Sequence, residues 1–259
     1  MTTATLPALF ISHGAPTLAL DAGQVGPALQ RLASNLPKPR AIVVLSAHWE
    51  SHALEVSTGT RPETWHDFRG FPAELYQIRY PAAGDPALAD RVISMLNMAG
   101  LDTHANAMRP RDHGVWMPLL HLYPAADIPV IQISIPINFN PAQLSYIGKV
   151  LAPLREEQML LIGSGSITHN LRELNWQQEQ NQTPAWASAF RNWIVHMLSN
   201  DDQASVLNWL QLAPHARRNH PTDEHLSPLF FAMGAGPRFS LVHSSFSMGA
   251  LGMDIYRFD

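Results

Sequence analysis

Three apolar runs in this chain lead into a histidine, and this pattern constrains the fold more than any other feature. The runs at residues 6–12 and 41–47 end directly at His13 and His48, and the run at 159–162 continues through a glycine-serine segment to His169. Short β-branched runs bounded by turn residues are typical of buried strands. Open α/β sheets bind their ligands outside the carboxyl ends of such strands. The pattern therefore predicts one site shared by the three histidines.

Helical and strand patterns alternate along the rest of the chain. Helices are predicted from three signals: amphipathic spacing, a start at Asp-Pro, Asn-Pro or Thr-Pro, and a glycine at the end. They are predicted at 24–35, 85–99, 115–123, 140–154, 183–198, 201–212 and 223–233. Further strands are predicted at 53–58, 129–135, 240–245 and 253–258. This alternation predicts an α/β fold, a central, mostly parallel or mixed sheet flanked by helices, in a single catalytic domain over residues 1–259.

One long segment, residues 59–84, is rich in proline, glycine and aromatic residues and follows the His48 strand. Long irregular segments in compact domains are more often functional loops than linkers. Its aromatic residues, which are Trp65, Phe68, Phe71, Tyr76 and Tyr80, are therefore predicted to wall a pocket.

Composition excludes several kinds of function. The net charge of -4, the pI near 6.3 and the scattered 17 Lys and Arg residues argue against nucleic acid as a partner. The absence of cysteine excludes disulfides, thiolate nucleophiles and Cys-type metal sites, so any metal must be held by nitrogen and oxygen. Neither a signal peptide nor a membrane-spanning apolar run is found, and a soluble cytoplasmic protein is expected.

The histidine cluster is suited to metal binding or to proton transfer. Neutral imidazole binds Zn(II), Fe(II) or Cu, and three protein ligands leave positions open for substrate, water or dioxygen. Spacing does not choose a third ligand, and four carboxylates compete for the role: Glu50, Asp112, Asp223 and Glu224. His113 is equally well explained as a turn residue bonded to backbone or as a catalytic group. Arg79, Arg109 and Arg111 are candidates to hold a substrate carboxylate, although a surface role suits any one of them better.

Six motifs together resemble the 4,5-DOPA extradiol dioxygenase family, which belongs to the class III extradiol ring-cleaving dioxygenases. They are SHGAP at 12–16, SAHWE at 46–50, YPAAG at 80–84, DHGVW at 112–116, SGSITHNLR at 164–172 and EHLSPL at 224–229. The motifs follow the order of the family and cover nearly the whole chain.

The resemblance implies a single α/β domain with one mononuclear metal ion, Fe(II) for activity or Zn(II) as often found. It implies that His13, His48 and His225 are the metal ligands. His169 then acts as the acid/base residue instead of a ligand, although direct ligation stays open, and His113 lies near the substrate and dioxygen. The expected reaction opens a catechol-type substrate, DOPA-like or caffeate-like, to a muconic semialdehyde.

Two other functions fit the same histidines. Three neutral ligands leave the full 2+ charge on the metal, and this donor set is also typical of zinc. A zinc-dependent hydrolase and a non-catalytic metal-binding protein are therefore the alternatives.

Overall fold

An eight-stranded mixed sheet forms the centre of the molecule and carries helices on both faces. The structure is a computed structural model and describes residues 5–176 and 183–259. Residues 1–4, where no signal peptide is predicted, lie outside this part. The strands are β1 (Ala8–Ser12), β2 (Ala41–Ser51), β3 (Leu54–Ser57), β4 (Thr103–Asn106), β5 (Val130–Pro136), β6 (Met159–Gly165), β7 (Phe239–His243), β8 (Phe246–Ser247), β9 (Leu251–Gly252) and β10 (Ile255–Phe258).

The nine α-helices of the described residues are α1 (Val25–Ser34), α2 (Pro86–Met98), α3 (His113–Leu122), α4 (Pro141–Leu151), α5 (Ala185–Ser199), α6 (Gln203–Leu207), α7 (Trp209–Leu212), α8 (Ala216–Asn219) and α9 (Ser227–Ala235). Four short 3-10 helices lie at Pro16–Ala19, Ala73–Gln77, Ala152–Glu157 and Leu171–Glu173. No helix among these combines the length and the apolar character that crossing a bilayer requires.

The strand order in the large sheet is β4-β3-β5-β2-β6-β1-β10-β7, and β8 pairs with β9 separately. The central strands β5, β2, β6 and β1 are parallel to one another. At one side of the sheet, β10 is antiparallel to both of its neighbours, β1 and β7, and at the other side β3 is antiparallel to β5. The predicted α/β fold with a mostly parallel or mixed sheet is confirmed. The carboxyl ends of β1, β6 and β2 meet at one edge of the sheet.

Alternate residues of the central strands enter two cores. In β2, Val43 and Leu45 face the core that α2, α4, α5 and α9 cover, while Ile42 and Val44 face the core beneath α1 and α3. Burial of both faces explains why these strands are continuous apolar runs.

The structure differs from the predicted elements at several points. β2 continues past His48 to Ser51, with an irregular register against β5 between Leu45 and Glu50. The helix predicted at 201–212 is broken into α6 and α7, and β4 and the short helix α8 were not predicted. The helix predicted to begin at Asp223 begins at Ser227 instead. Pro228 explains this start, since proline fits the first turn of a helix and breaks its interior.

Candidate functional site

His13 and His48 reach the carboxyl edge of the sheet from neighbouring parts of it. His13 follows β1 directly, and its backbone N–H donates to the Gly165 carbonyl at 2.9 Å. His48 lies in the irregular part of β2. The Nε2 atoms of the two rings are 2.9 Å apart. The sheet thus brings two imidazoles from distant parts of the sequence into contact.

Hydrogen bonds determine which nitrogen of His13 carries the proton. Ser164 Oγ donates its only proton to the Gly114 carbonyl. Ser164 Oγ must therefore accept from His13 Nδ1, which lies 3.0 Å away. The Nε2 atom of His13 is left with a lone pair that points toward His48.

Asp67, on the long aromatic segment, connects His113 and His48. His113 is the first residue of α3, and both its backbone N–H and its Nδ1 donate to Asp67 Oδ1, at 3.0 and 2.8 Å. The other carboxylate oxygen lies 3.7 Å from His48 Nδ1. Burial is the largest single effect and raises the pKa of Asp67, but the hydrogen bonds from His113 and the charge interactions with His113 and His48 together outweigh it, so the net pKa is lowered. An ionised Asp67 favours the tautomer in which each Nδ1 is protonated and each Nε2 is free.

His225 and His169 form the opposite side of the site. Their rings are stacked, with centroids 3.4 Å apart and planes inclined by 10°. His225 Nδ1 donates to Glu224 Oε1 at 2.8 Å, whereas His169 Nδ1 is 4.0 Å from the same oxygen. The helix predicted at 223–233 would place His225 in its first turn, but His225 lies in the turn before α9.

Burial keeps the imidazoles of His13, His48, His169 and His225 neutral. Desolvation is the largest cause in every case, and it lowers the pKa of His48 to about 3 and that of His169 to about 4. The pKa values of His13 and His225 are lowered well below the ordinary value for the same reason. A neutral imidazole is the form that binds a metal ion.

The five histidines line one cavity of about 350 Å³, a volume typical of small-molecule sites. Its remaining wall is mostly apolar and includes Phe68, Phe71, Leu171, Leu174, Trp176 and Leu251. The prediction that the 59–84 segment walls a pocket therefore holds for Phe68 and Phe71. The other three aromatic residues lie outside the lining, and Tyr80 instead donates to the Tyr123 carbonyl at 2.9 Å.

The donor set fits a metal ion. The ligand atoms of His13, His48 and His113 all lie within 4.8 Å of one another, and so do those of His169, Glu224 and His225. The predicted ligands His13, His48 and His225 span these two groups, with ring centroids 4.8 to 5.4 Å apart. The Nε2 atoms of His13 and His48 lie 2.9 Å apart, so one cation beside them would contact both lone pairs when neither Nε2 carries a proton.

Comparison with known proteins decides the family. Residues 7–259 match the family described as the catalytic LigB subunit of aromatic ring-opening dioxygenase. The chain belongs to this family. The predicted extradiol ring-cleaving dioxygenase is thereby confirmed at the level of the LigB family.

Similar proteins span almost the whole chain. The "4,5-DOPA dioxygenase extradiol" of Beta vulgaris is 38% identical over 265 residues, which cover 96% of this chain and 95% of that protein. The protein of the same name from Escherichia coli K12 is 38% identical over 240 residues, which cover 91% and 87%. The crystal structure of an uncharacterized Escherichia coli K12 protein aligns with a TM-score of 0.83 at 31% identity and covers 98% of this chain and all of that one.

Two carboxylates of the LigB-family site were not assigned their roles from sequence. Asp67 was not among the candidate carboxylates, and Glu224 was considered only as a possible metal ligand. Asp67 is 46 residues from His113, so no local spacing signals their contact. Asp112, another candidate ligand, is fully buried beneath the site and bonded to Ser46 and Arg109 instead.

Proposed function

We propose that residues 1–259 act as a single catalytic domain that cleaves the ring of a catechol-type substrate beside its two hydroxyls. One oxygen atom of dioxygen joins each carbon of the broken bond, and the product is a muconic semialdehyde. The observation that carries this proposal is that five histidines line one aromatic-walled cavity in a LigB-family chain.

His13, His48 and His225 are proposed as the ligands of a mononuclear ion, Fe(II) in the active enzyme. Each has its Nδ1 facing an oxygen of Ser164, Asp67 or Glu224, which directs Nε2 toward the cavity. The bound ion would hold the two catechol oxygens and, as iron, supply the redox chemistry that dioxygen needs. Zn(II) would occupy the same ligands without that redox chemistry.

His169 is the proposed proton acceptor. Its ring stacks on His225, so it is beside the proposed ligands, and its Nδ1 lacks the short carboxylate contact that His225 has. A neutral ring nitrogen in this position accepts a catechol hydroxyl proton and returns it to the product. His113 donates through Nδ1 to Asp67, so its free Nε2, beside the Phe68 ring whose centroid is 5.5 Å from that of His113, is positioned to accept a hydrogen bond near the oxygen atoms being transferred.

The test is anaerobic loading with Fe(II), addition of a catechol panel, and admission of air. A yellow ring-opened product is expected from wild type and is expected to be lost in His169→Ala while the metal content stays near one ion per chain. Absence of product with every catechol, or full activity in His169→Ala, would refute the proposal.

Metal content tests the ligand assignment separately. His225→Ala is expected to bind metal at least about tenfold more weakly, whereas His104→Ala, which removes a half-exposed histidine outside the cavity, is expected to bind normally. Equal metal loss in His169→Ala and His225→Ala would contradict the division between ligand and proton acceptor.

A further inference from the structure

The charge of the cavity wall separates the two substrate types, DOPA-like and caffeate-like. Glu224 is the one acidic side chain among the lining residues that the structure describes, and no Lys or Arg is among them. All 17 Lys and Arg residues of the chain fall within the described ranges, since residues 1–4 and 177–182 contain none. The part of the cavity away from the metal ligands therefore offers an anion no cationic partner.

The three arginines that the sequence offers as carboxylate-binding groups form hydrogen bonds with other partners. Arg109 donates to Asp112 at 2.7 Å and to the His48 carbonyl at 2.9 Å. Arg111 is fully buried and donates to backbone carbonyls, including that of Ala82 at 3.0 Å. Arg79 donates to the Tyr76 carbonyl at 2.7 Å. None of the three lines the cavity.

The wall that would surround a ring substituent is apolar. Phe71 and Trp176 are in contact, with ring centroids 6.3 Å apart, and Leu171 and Leu174 lie on the same wall. Leu171 and Trp176 are more than half exposed, so a carboxylate against this wall loses only part of its hydration, but it gains no ion pair in return because no Lys or Arg of the described residues lines the cavity. The carboxylate is also repelled by Glu224. An uncharged substituent avoids both the lost carboxylate hydration and the repulsion, and an ammonium is attracted to Glu224.

We propose that this cavity selects catechols whose ring substituent carries no net negative charge, so that amine-bearing and uncharged catechols are preferred to acid-bearing ones. This inference rests on the proposed function and narrows its substrate class. DOPA, with one ammonium and one carboxylate on its side chain, stays within the class. Caffeate, whose side chain is an anion, does not.

The test compares three catechols on the Fe(II)-loaded protein: dopamine, 4-methylcatechol and 3-(3,4-dihydroxyphenyl)propionate, whose side chain matches that of dopamine in length. The expected kcat/KM for the first two is at least about tenfold above that for the propionate, a difference of about 1.4 kcal/mol. Equal values, or a preference for the propionate, would overturn the inference while leaving ring cleavage established.

A binding measurement keeps the two proposals distinguishable. If none of the three compounds is cleaved, the proposed function fails, and calorimetric affinities of the Zn(II)-loaded protein then decide the inference. Weaker binding of the propionate supports charge selection, and equal or tighter binding overturns it.

A positive charge introduced into the cavity wall should shift the preference toward the acid-bearing substrate. Leu171 lines the cavity and is 57% exposed, so Leu171→Arg adds a cation without burying it. We expect this variant to raise the ratio of propionate to dopamine kcat/KM at least about tenfold. Leu212→Arg is the matched control, because Leu212 is 54% exposed and lies outside the cavity lining. An unchanged ratio in Leu171→Arg, or the same rise in Leu212→Arg, would contradict the inference.

Arg172 provides one more decisive variant, because it follows Leu171 in the chain without lining the cavity. Arg172→Gln is expected to leave the ratio between the two substrates unchanged. A selective loss of propionate turnover in this variant would show that the protein has a carboxylate-binding group, and would overturn the inference.

Discussion

Replacing Asp112 with Asn tests how the buried layer beneath the site supports His48. Asp112 is fully buried and accepts hydrogen bonds from Ser46 Oγ at 2.7 Å, Arg109 Nη2 at 2.7 Å and Gln132 Nε2 at 2.9 Å. Arg109 also donates to the His48 carbonyl, and the His48 amide donates to Ser46 Oγ at 3.2 Å. One carboxylate therefore holds both of the side chains that bind the His48 backbone.

The expected loss of stability in Asp112→Asn follows from the hydrogen bonds that Asn cannot accept. Asn has one acceptor oxygen. If that oxygen faces Arg109 and Gln132, the Ser46 hydroxyl loses its acceptor; in the other orientation, the Arg109 and Gln132 N–H groups face an N–H donor. Arg109 also loses its ionic partner in a site where only 12% of its side chain is exposed. Removing one partner of a buried pair typically costs about 3–5 kcal/mol. Because Arg109 keeps its contacts with the Trp49 and Trp65 rings, we expect the lower end, about 3 kcal/mol.

Urea unfolding followed by tryptophan fluorescence measures this loss. Asp127→Asn is the matched control, because the Lys38–Asp127 pair is exposed and such pairs contribute little to stability. Asp112→Asn should therefore unfold at a clearly lower urea concentration with an unchanged m-value, while Asp127→Asn should resemble wild type. If the two variants lost the same stability, the reasoning about the buried layer would be refuted.

Three further predictions concern other parts of the molecule. Asp67→Asn removes the carboxylate that orients His113 and should lower activity about 10- to 100-fold with the fold retained by circular dichroism; near-normal activity would contradict this role. Burial raises the pKa of Asp254 to about 6, so the folded state binds the extra proton and stability falls as pH rises from about 4 to 6. The unfolding free energy of wild type relative to Asp254→Asn should therefore drop by about 2 kcal/mol between about pH 4.5 and about pH 8, and a pH-independent difference would refute the assignment. Gly163→Ala would place a methyl group 2.0 Å from the Pro228 carbonyl oxygen, so urea unfolding should show a loss of about 1–3 kcal/mol or more in the free energy of unfolding. Wild-type stability in this variant would show that α9 can move away from β6.

The sheet and the strand-end histidines were predictable because they depend on local patterns. Continuous apolar runs identify buried parallel strands, and topology alone then brings His13 and His48 to the same edge. The start of α9 differs from the predicted start at residue 223 for a local reason too, because Pro228 favours a helix that begins at Ser227. Attention to that proline would have placed His225 in a turn.

The contacts that orient the histidines were not predictable in the same way. Asp67 is bonded to His113 across 46 residues, and Ser46 to Asp112 across 66. No periodicity or spacing rule connects residues so far apart. The first contact depends on how the long 59–84 segment packs on α3, and the second depends on how β2 lies against the start of α3. Sequence motifs identified the imidazoles, but only the fold identifies the partner of each Nδ1.

Those partners offer a physical reason for dividing the histidines by role. An imidazole whose Nδ1 proton is fixed on a neighbouring oxygen has one nitrogen left, with a lone pair and no proton to exchange, and this suits a metal ligand. His13 meets this condition through Ser164, and His225 meets it through Glu224 at 2.8 Å. His113 also meets it through Asp67 at 2.8 Å, whereas His48 Nδ1 is 3.7 Å from Asp67, so this contact separates the roles only within the stacked pair of His225 and His169. His169 stacks on the His225 ring at 3.4 Å, yet its Nδ1 lies 4.0 Å from Glu224, beyond hydrogen-bond distance. A ring without that fixed proton can change its protonation state during a reaction, so the short contact of His225 and the long contact of His169 favour a ligand and a proton acceptor side by side.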